Sequence, residues 1–373
     1  MVEKPQIEIT IVVLPREKFS YCQMTLEALL ENTKLPFKLI YVDGNSPRKT
    51  RDYLRTKLAG RPDTSLLRFD HYIGPMYARN IALKQVDTKY VAMVDNDVYL
   101  KPGWLEALYR CAQEEQAEAV VPLVTVGGPQ SDIIHVSSGE SGIKRNSKGA
   151  SYFHNKQDWE WYKVTEVPEP LVRRQTELLE NHCVLAHTEV IRAFGGFDDN
   201  QCNMVNNIDL SMLFMSQKAK TMFEPEAQVV YLLGPDVPTT WSDLPYWYLS
   251  WSEKWTRQYF KLMANKYQVD LDLSDDHHVT WWLGDQRRKY MLPLVNSIKS
   301  FFNRIHLPKA GWLVIKVLER AEVVFSYIMV EAVLHTKAGS KMPTPSFFTP
   351  YPKLWRNSEA ATTAEVKKEP IEV

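Results

Sequence analysis

The sequence predicts an α/β fold whose doubly wound, mostly parallel sheet is followed by a helical C-terminal extension. Short β-branched runs alternate with helical stretches over residues 1–126, a pattern that is typical of βαβ units. From residue 236 onward the pattern changes to aromatic-rich helical segments. We therefore predict an α/β domain over residues 1–235, a helical region over 236–340 and a disordered tail over 341–373.

The first half of the α/β domain, residues 1–126, is predicted to alternate strands with helices. The strands are predicted at residues 7–14, 37–43, 65–70, 90–94 and 117–126, and the helices at 21–32, 47–59, 74–86 and 103–115. The second half, residues 127–235, begins with a Gly-, Ser- and Asn-rich stretch that predicts loops with one or two hairpins. It continues with a strand, helix and turn over 178–200, a helix over 206–219 and a strand over 227–232.

The charge balance argues against a general nucleic-acid binder, because Lys plus Arg and Asp plus Glu each number 45. The four cysteines are scattered without a C-x-x-C pair, which fits a reducing compartment and excludes a Cys-rich zinc module. The N-terminus lacks the features of a signal peptide, and no uncharged apolar run reaches the roughly 18 residues of a transmembrane helix. We expect a cytoplasmic protein.

Three aspartates follow predicted strands: Asp43 follows the second strand, and Asp95 and Asp97 follow the fourth. Ligands of an open α/β sheet bind outside the carboxyl ends of its strands, so these carboxylates are expected along one sheet edge. Hard oxygen ligands in low number suit Mg²⁺ or Mn²⁺ bridging to the phosphates of a substrate. Such a cation stabilises the negative charge on a diphosphate leaving group.

Four stretches of the chain, taken in order, resemble the family 2 glycosyltransferases of the GT-A fold. "ITIVVLP" (residues 9–15) resembles the opening strand that ends at a proline. "LIYVDGNSPRKT" (39–50) resembles the strand that ends in an acidic residue before a Gly/Ser turn. "GPMYARNIALKQVDTKYVAMVDNDVYLKPGWLEAL" (74–108) resembles the Ala-Arg-Asn helix, a strand, the D-x-D motif and Pro-x-Trp-Leu. "AFGGFDDN" (193–200) resembles the Gly-Gly-Phe-Asp turn before the acceptor-side helix.

The resemblance implies roles for five residues. Pro15 and Asp43 would line the nucleotide base, with Asp43 accepting a hydrogen bond from a base N–H. Uracil offers such a donor, so a UDP-sugar is the first expectation. Arg79 would lie near the sugar diphosphate. Asp97 would bind the metal that holds the diphosphate, and Asp95, the other carboxylate of the metal site, would contact the ribose or the sugar.

The chain departs from this family where inverting members carry a Glu-Asp pair. Asn206 and Asn207 stand at those positions, and an amide cannot accept the proton of the acceptor hydroxyl. We expect Asp209 or Asp199 to act as the base instead, with Asp198 as a further candidate in the same turn. Asp209 points to a different side of an ideal helix from Asn207. An enzyme that retains configuration, or a chain that has lost activity, would explain the same departure.

Two residues are expected on the acceptor side: His182, within "LLENHCVLAH", and Asn207. Many relatives carry a His soon after the last strand that completes the metal site, whereas this chain offers Tyr231 there. The metal is therefore expected to rest on Asp97, the diphosphate and water. The pair His277-His278 is expected in a surface loop, because adjacent residues of a strand point to opposite faces.

Two features of the helical region bear on function. Trp247, Trp251 and Trp255 are spaced by four, so they share a helix face, which we predict packs against the α/β domain rather than on sugar rings. Residues 310–335 are apolar over most of their helical circumference, which predicts a helix that is buried, dimerised or in a membrane interface. Peripheral membrane contact through this helix would suit a lipid-linked acceptor.

The function that these residues predict is metal-dependent transfer of a sugar from a nucleotide-diphosphate donor to a hydroxyl of a glycan or lipid-linked acceptor, with Mn²⁺ or Mg²⁺. A nucleotidyltransferase is disfavoured, because the segment "PREKFSYCQ" after the first strand has no glycine. A degenerate transferase that serves as a glycan-binding or scaffold protein stays open, since Asn206 and Asn207 replace the expected acids.

Overall fold

A computed structural model describes residues 7–199, 207–234, 240–270 and 283–342. The predicted tail beyond residue 342, Asn206 and the pair His277-His278 lie outside these ranges. The strands in the described residues are β1 (Ile9–Leu14), β2 (Phe37–Gly44), β3 (Thr64–Phe69), β4 (Tyr90–Asp95), β5 (Val98–Leu100), β6 (Ala119–Gly127), β7 (Ile134–Val136), β8 (Gly139–Arg145), β9 (Ser151–Gln157), β10 (Arg174–Gln175), β11 (Cys183–His187) and β12 (Thr221–Leu232).

The α-helices with both ends inside the described residues are α1 (Cys22–Asn32), α2 (Arg48–Leu58), α3 (Pro75–Leu83), α4 (Trp104–Glu115), α5 (Thr188–Ala193), α6 (Asn207–Ser216), α7 (Leu244–Ser250), α8 (Glu253–Tyr267), α9 (Leu292–Arg304) and α10 (Pro308–Leu334). Short 3₁₀ helices occur at Phe19–Tyr21, Val164–Glu166 and Lys289–Met291.

Ten of the described strands form one sheet, and β8 and β9 form a separate hairpin. The order along the sheet is β10–β12–β6–β11–β4–β1–β2–β3, with β5 paired to β12 and β7 paired to β6. The strands β4, β1, β2 and β3 are parallel, as are β6 and β12, whereas β11 runs antiparallel between β4 and β6. The predicted α/β fold, with a mostly parallel sheet and a helical C-terminal region, is confirmed.

The central strands are buried on both faces, because helices cover the sheet on each side. All six residues of β1 are buried. Ile11 and Val13 belong to one apolar cluster and Val12 and Leu14 to another, as the alternation of side chains along a strand requires. Helices α1, α2 and α4 contribute to the first cluster, and α3, α5 and α6 contribute to the second. Helix packing on both faces of the sheet thus holds in place the strand ends that carry the predicted site.

Three elements differ from the sequence prediction. Strand β12 begins at Thr221 rather than at 227, because the chain passes Pro225 through a β-bulge and stays paired with β6 on both sides. Helix α3 ends at Leu83, three residues before the predicted end. Helix α9 lies in the predicted helical region, 236–340, but its bounds were not predicted; its Pro293 lies in the first turn, where proline is tolerated.

The C-terminal helices contribute to the core and also expose an apolar surface. Trp247, Trp251 and Trp255 are 0%, 5% and 2% exposed and belong to the apolar cluster that contains β1 and β4 residues. Helices α9 and α10 pack against each other and form a unit that we call the C-terminal hairpin, residues 292–334. Among the described helices, none is long and apolar enough to cross a membrane.

Candidate active site

The site is built where β1 and β4 end side by side. Leu14 pairs with Asp95 in the parallel register, so the segment after β1 runs beside the segment after β4. The Asn96 amide donates to the Leu14 carbonyl at 2.9 Å, and the Arg16 amide donates to Oδ1 of Asn96 at 2.9 Å. Asn96 therefore links the segments that follow β1 and β4. Asp95 and Asp97 take no part in these two hydrogen bonds.

Asp95 is fully buried and lies among three cationic or ionisable side chains. Its Oδ2 is 3.3 Å from Nη1 of Arg16 and 3.3 Å from Nδ1 of His182, and its Oδ1 is 3.6 Å from Nη2 of Arg79. Burial alone would raise the pKa of this carboxyl, but the two arginines and His182 hold its pKa below the usual value. Asp95 is therefore a carboxylate in the folded protein.

Asp97 is equally buried but has a different environment. Neither of its carboxyl oxygens has a hydrogen-bond partner among the described residues. Burial, together with the charges of Glu17 and Asp95, raises the pKa of Asp97 to about 7. A buried carboxylate without a partner is costly, so this position has the chemistry of a ligand-binding group rather than a structural one.

Asp95, Asp97 and His182 form a group that fits a divalent cation. One ligand atom from each lies within 4.8 Å of the others, and all three side chains are buried. The two carboxyl oxygens of Asp97 support this fit, because they have no hydrogen-bond partner among the described residues and a cation would bind them. Two carboxylates and one imidazole are ligands that Mn²⁺ and Mg²⁺ sites accept, with remaining positions left for a substrate.

The sequence placed His182 on the acceptor side, whereas the structure brings it to the aspartates. His182 immediately precedes β11, whose first residue pairs with Val94, so His182 stands opposite Asp95. Its ring stacks on Tyr231 with centroids 4.3 Å apart. Although burial disfavours the imidazolium, the contact with Asp95 raises the pKa of His182 above its usual value.

Sequence reasoning missed Arg16 and Glu17, which are both buried at the site. The Tyr231 hydroxyl donates to Oε2 of Glu17 at 2.6 Å. The charge of Glu17 contributes to the raised pKa of Asp97. The rule that ligands gather at strand ends, applied to β1 as well as to β2 and β4, would have identified both residues.

The two residues expected at the nucleotide base lie together at the ends of β1 and β2. Pro15 is buried, and a Cβ built on Gly44 would lie 3.2 Å from its ring, so this neighbour of Asp43 must be small. Asp43 accepts from the amide and the hydroxyl of Ser46 at 2.8 and 2.9 Å, and it forms an ion pair with Arg68. Its carboxylate is thus oriented at the sheet edge.

Arg79 lies inside the site rather than at the surface. It is 1% exposed and donates to the carbonyls of Pro75 and Asn181 at 3.4 and 3.3 Å. Burial lowers the pKa of this guanidinium to about 10, with the charge of Asp95 opposing that effect. Arg79 therefore orients Asp95.

The candidate bases occupy separate places. Asp209 accepts from Nζ of Lys266 at 2.6 Å and from the Tyr267 hydroxyl at 2.5 Å, so helix α8 binds it. Asp199 accepts from Nδ2 of Asn80 at 2.6 Å. Asn207 is the first described residue of α6 and is half-buried.

Comparison with known proteins finds similarity to glycosyltransferases. Residues 10–175 match the family model described as Glycosyl transferase family 2. Two relatives from Mycobacterium tuberculosis, strains CDC 1551 / Oshkosh and ATCC 25618 / H37Rv, are each named pre-mycofactocin glycosyltransferase. Each is 24% identical over 226 residues, which is 60% of this chain and 42% of the relative. The chain thus spans about two fifths of the length of these relatives.

Two solved structures show limited similarity. GalNAc-T7 with UDP, GalNAc and Mn²⁺ superposes with a TM-score of 0.47 at 13% identity, covering 80% of this chain and 58% of that one. Residues 1–349 of S. aureus TarS superpose with a TM-score of 0.45 at 14% identity, covering 87% of this chain and 91% of that one.

The family match runs from β1 to β10 and includes Asp43, Asp95 and Asp97, while His182 and α6 lie beyond it. Residues 10–175 match the family 2 glycosyltransferases, and the resemblance predicted from the motifs is confirmed.

Proposed function

We propose that this chain is a metal-dependent glycosyltransferase. It transfers a sugar from a nucleotide-diphosphate donor, a UDP-sugar in the first instance, to a hydroxyl of a glycan or lipid-linked acceptor. The observation that carries the proposal is the pair of buried, unpartnered oxygens of Asp97 beside Asp95 and His182 at the end of β4. Such a cluster at the carboxyl ends of parallel strands is where a metal and a diphosphate are expected.

Asp95, Asp97 and His182 would hold Mn²⁺ or Mg²⁺. The bound cation offsets the negative charge that builds on the departing diphosphate. Asp97 has to release its proton to bind a cation, and a pKa of about 7 allows this at neutral pH. Arg16 and Arg79 keep Asp95 ionised, so this ligand is available without a proton loss.

Pro15 and Asp43 would recognise the nucleotide base. The internal partners of Asp43, Ser46 and Arg68, fix the direction of its carboxylate but do not exhaust its acceptor capacity, because a carboxylate offers about four lone-pair sites. A base N–H can therefore be accepted by an oriented oxygen, which is the arrangement that discriminates between bases.

Asp199 or Asp209 would take the proton from the acceptor hydroxyl, with Asn207 beside the acceptor. Asp209 accepts hydrogen bonds from a Lys and a Tyr, which restricts its access to a substrate. Asp199 lies in the turn before α6 and contacts one neutral amide. Of the two, Asp199 has the environment more suited to a general base.

The C-terminal hairpin supports peripheral contact with a membrane. Large apolar side chains on it are at least a third exposed: Leu292, Leu294, Phe301, Ile305, Leu307, Trp312, Leu313, Val314, Val317, Val323, Val324, Phe325, Tyr327 and Ile328. Exposed apolar side chains concentrated on one unit of the fold indicate an interaction site.

An anionic lipid surface is the proposed occupant of the hairpin, and the charge of the hairpin supports it. Within the hairpin, residues 292–334, the chain carries five Lys or Arg residues and three Glu residues, although the whole chain is neutral. One of these acids, Glu322, is buried in an ion pair with Arg287 and does not reach the surface. Apolar and basic side chains together favour binding to the cytoplasmic leaflet, whose surface is negative. We accordingly place the enzyme in the cytoplasm at the inner face of a membrane.

A degenerate transferase that binds glycans or acts as a scaffold is the second candidate. It is favoured by Asn207 in place of an acid and by the complete burial of Asp95 and Asp97. A nucleotidyltransferase is the weakest alternative, since the segment after β1 has no phosphate-binding glycine.

Donor hydrolysis distinguishes these candidates. The chain is incubated with UDP-, GDP-, CDP- and dTDP-sugars, with Mn²⁺ or with EDTA, and release of the nucleoside diphosphate is measured. An active transferase releases one nucleotide in a metal-dependent manner, and Asp97→Ala abolishes the release. Release of no nucleotide, combined with metal-independent glycan binding, would establish the scaffold.

A further inference from the structure

A cavity of about 660 Å³ opens beside the site at the ends of β6 and β12. The residues that line it include Gly127, Ile133, Trp161, Leu233, Lys289 and Leu292. A cavity of this size accommodates one or two sugar rings, within the range that small-molecule sites span.

Two chains of contacts connect the cavity to the cluster of Asp95, Asp97 and His182. Leu233 follows Leu232, whose amide donates to the Asp97 carbonyl at 3.0 Å. On the other wall, the Trp161 ring lies 6.3 Å from the ring of His135, which lies 5.4 Å from that of His182. The cavity is therefore next to the reacting centre that the proposed function requires.

Trp161 is held in an uncommon conformation at the cavity wall. Its φ is 69°, in the left-handed region that a bulky aromatic residue rarely adopts, and the indole is 61% exposed. The conformation is imposed by pairing with the segment at β7, because the Trp161 amide donates to the Ile134 carbonyl at 2.9 Å and the Ile134 amide donates to the Tyr162 carbonyl at 2.8 Å. Strain of this kind is concentrated at ligand-binding positions.

The chemistry of the walls selects the ligand. Val126, Ile133, Leu233 and Leu292 make the walls apolar, and Lys289 is the charged residue among the described residues that line the cavity. An exposed indole with an apolar surround suits a ligand that has one C–H face and a rim of hydroxyls, which describes a pyranose ring. A nucleotide diphosphate needs more positive charge than Lys289 supplies.

We propose that this cavity is the acceptor subsite and that Trp161 binds the acceptor by stacking on a pyranose ring. The inference rests on the proposed transferase function, because it assigns the second substrate of the same site. Trp161 is a specificity-determining residue for the acceptor, and the donor is held elsewhere, by the ends of β1, β2 and β4.

The pyranose can belong to a free glycan or to a lipid-linked one. Leu292, which lines the cavity, is also the first residue of the C-terminal hairpin, so the cavity and the hairpin adjoin. Both sources share the same ring chemistry, and the experiment separates them by presenting each sugar free in solution and as a glycolipid in vesicles.

The test is saturation-transfer NMR on the full chain with oligosaccharides of glucose, galactose, mannose and N-acetylglucosamine, in both forms. We expect at least one pyranose to receive saturation on its C–H face. Trp161→Ala should weaken sugar binding about tenfold or more, since it removes the aromatic surface that the sugar would cover and the stacking interaction. Trp161→Phe keeps a smaller aromatic ring and should retain part of the affinity. Tyr152→Ala is the matched control, because Tyr152 is an exposed aromatic residue, 41% exposed, outside the cavity.

Binding of UDP with Mn²⁺ is measured on the same samples. If the nucleotide binds but no pyranose does, or if pyranose binding is equal in Trp161→Ala and the unaltered chain, the acceptor assignment is overturned while the transferase proposal stands. If no nucleotide binds, the transferase proposal fails, and with it the acceptor assignment. The unfolding temperature of each variant establishes that it is folded, and Trp161→Phe keeps the test decisive if Trp161→Ala does not fold.

Discussion

His182 and Asp95 are joined twice. Nδ1 of His182 lies 3.3 Å from Oδ2 of Asp95, and the Asp95 amide donates to the His182 carbonyl at 3.0 Å. The backbone bond continues the antiparallel pairing of β11 with β4, so the sheet itself sets the position of the imidazole. The pairing of the two strands therefore places His182 beside Asp95.

His182→Ala is expected to weaken the binding of Mn²⁺ by about tenfold to a hundredfold, the loss that is usual when a residue that holds or orients a metal ligand is removed. Calorimetry of the full chain with Mn²⁺ in the presence of UDP measures this affinity. A role confined to the acceptor predicts the opposite pattern, with unchanged Mn²⁺ affinity and a raised KM for the acceptor.

Asp95→Ala is expected to lower the free energy of unfolding by about 3–5 kcal/mol, because it leaves two buried arginines without their shared carboxylate. Arg16 is 4% exposed and Arg79 is 1% exposed, so water cannot replace the lost charge. Urea denaturation measures the change. Asp87→Ala is the matched control: Asp87 is paired with Lys38 at 2.7 Å but is 65% exposed, and its loss should cost less than about 1 kcal/mol. Equal effects of the two substitutions would contradict the assigned role of Asp95.

Asp97→Asn is expected to stabilise the metal-free protein in a pH-dependent manner. The folded-state pKa of about 7 lies above the usual value of about 4, so the stability that protonated Asp97 contributes is present below pH 4 and is lost as pH rises toward 7. The variant does not ionise there. The two proteins should therefore be similar near pH 4, diverge by about 1.4 kcal/mol per pH unit, and differ by a constant amount above pH 7.

Urea denaturation in EDTA at several pH values measures this difference between Asp97→Asn and the unaltered chain. Saturating Mn²⁺ should reverse the order of stability at pH 8, because the variant loses a charged ligand. A difference that does not change between pH 4 and pH 8 would show that Asp97 has an ordinary pKa and a hydrogen-bonded role.

Trp312→Ser is expected to reduce the fraction of protein that floats with vesicles containing anionic lipid, because it removes an aromatic side chain from the apolar face of the C-terminal hairpin. Lys309→Glu combined with Lys316→Glu should reduce binding to anionic vesicles further by removing the attraction to the headgroups. Trp241→Ser is the control, since Trp241 is 86% exposed but lies outside the hairpin.

Light scattering completes the test of the hairpin. A monomer that binds vesicles supports the membrane assignment. A dimer that binds no vesicles and dissociates on Trp312→Ser would show that a second copy of the chain covers this face.

Asp95 and Asp97 could be located from the sequence because an apolar strand followed by D-x-D places both carboxylates at a sheet edge whatever the order of the strands. The role of His182 could not, because it depends on β11 entering antiparallel between β4 and β6. Local periodicity does not encode that order. Arg16 was missed for a related reason. It lies beside Asp95 because β1 pairs with β4 in a register that sets Leu14 opposite Asp95, and the sequence does not give that register.

Asp209 shows the same limit on the helical side. From the sequence, Asp209 is interpreted as an exposed acid in the first turn of a helix, where the positive end of the helix dipole favours a negative charge. The structure instead buries Asp209 at 1% exposure against Lys266 and Tyr267, which come from a helix more than 50 residues later in the chain. The packing of α8 on α6 has no signature in the sequence around Asp209.

Thermal unfolding with UDP, GDP, CDP and dTDP, each with Mn²⁺ or EDTA, tests most directly whether Asp97 holds a metal that binds a nucleotide diphosphate. A nucleotide at about 100 times its dissociation constant adds about 2.7 kcal/mol, which raises the unfolding temperature by several degrees. We expect such a rise with one nucleotide, only with Mn²⁺, and no rise in Asp97→Ala. A rise that is equal in EDTA, equal in Asp97→Ala, or absent with every nucleotide would contradict it.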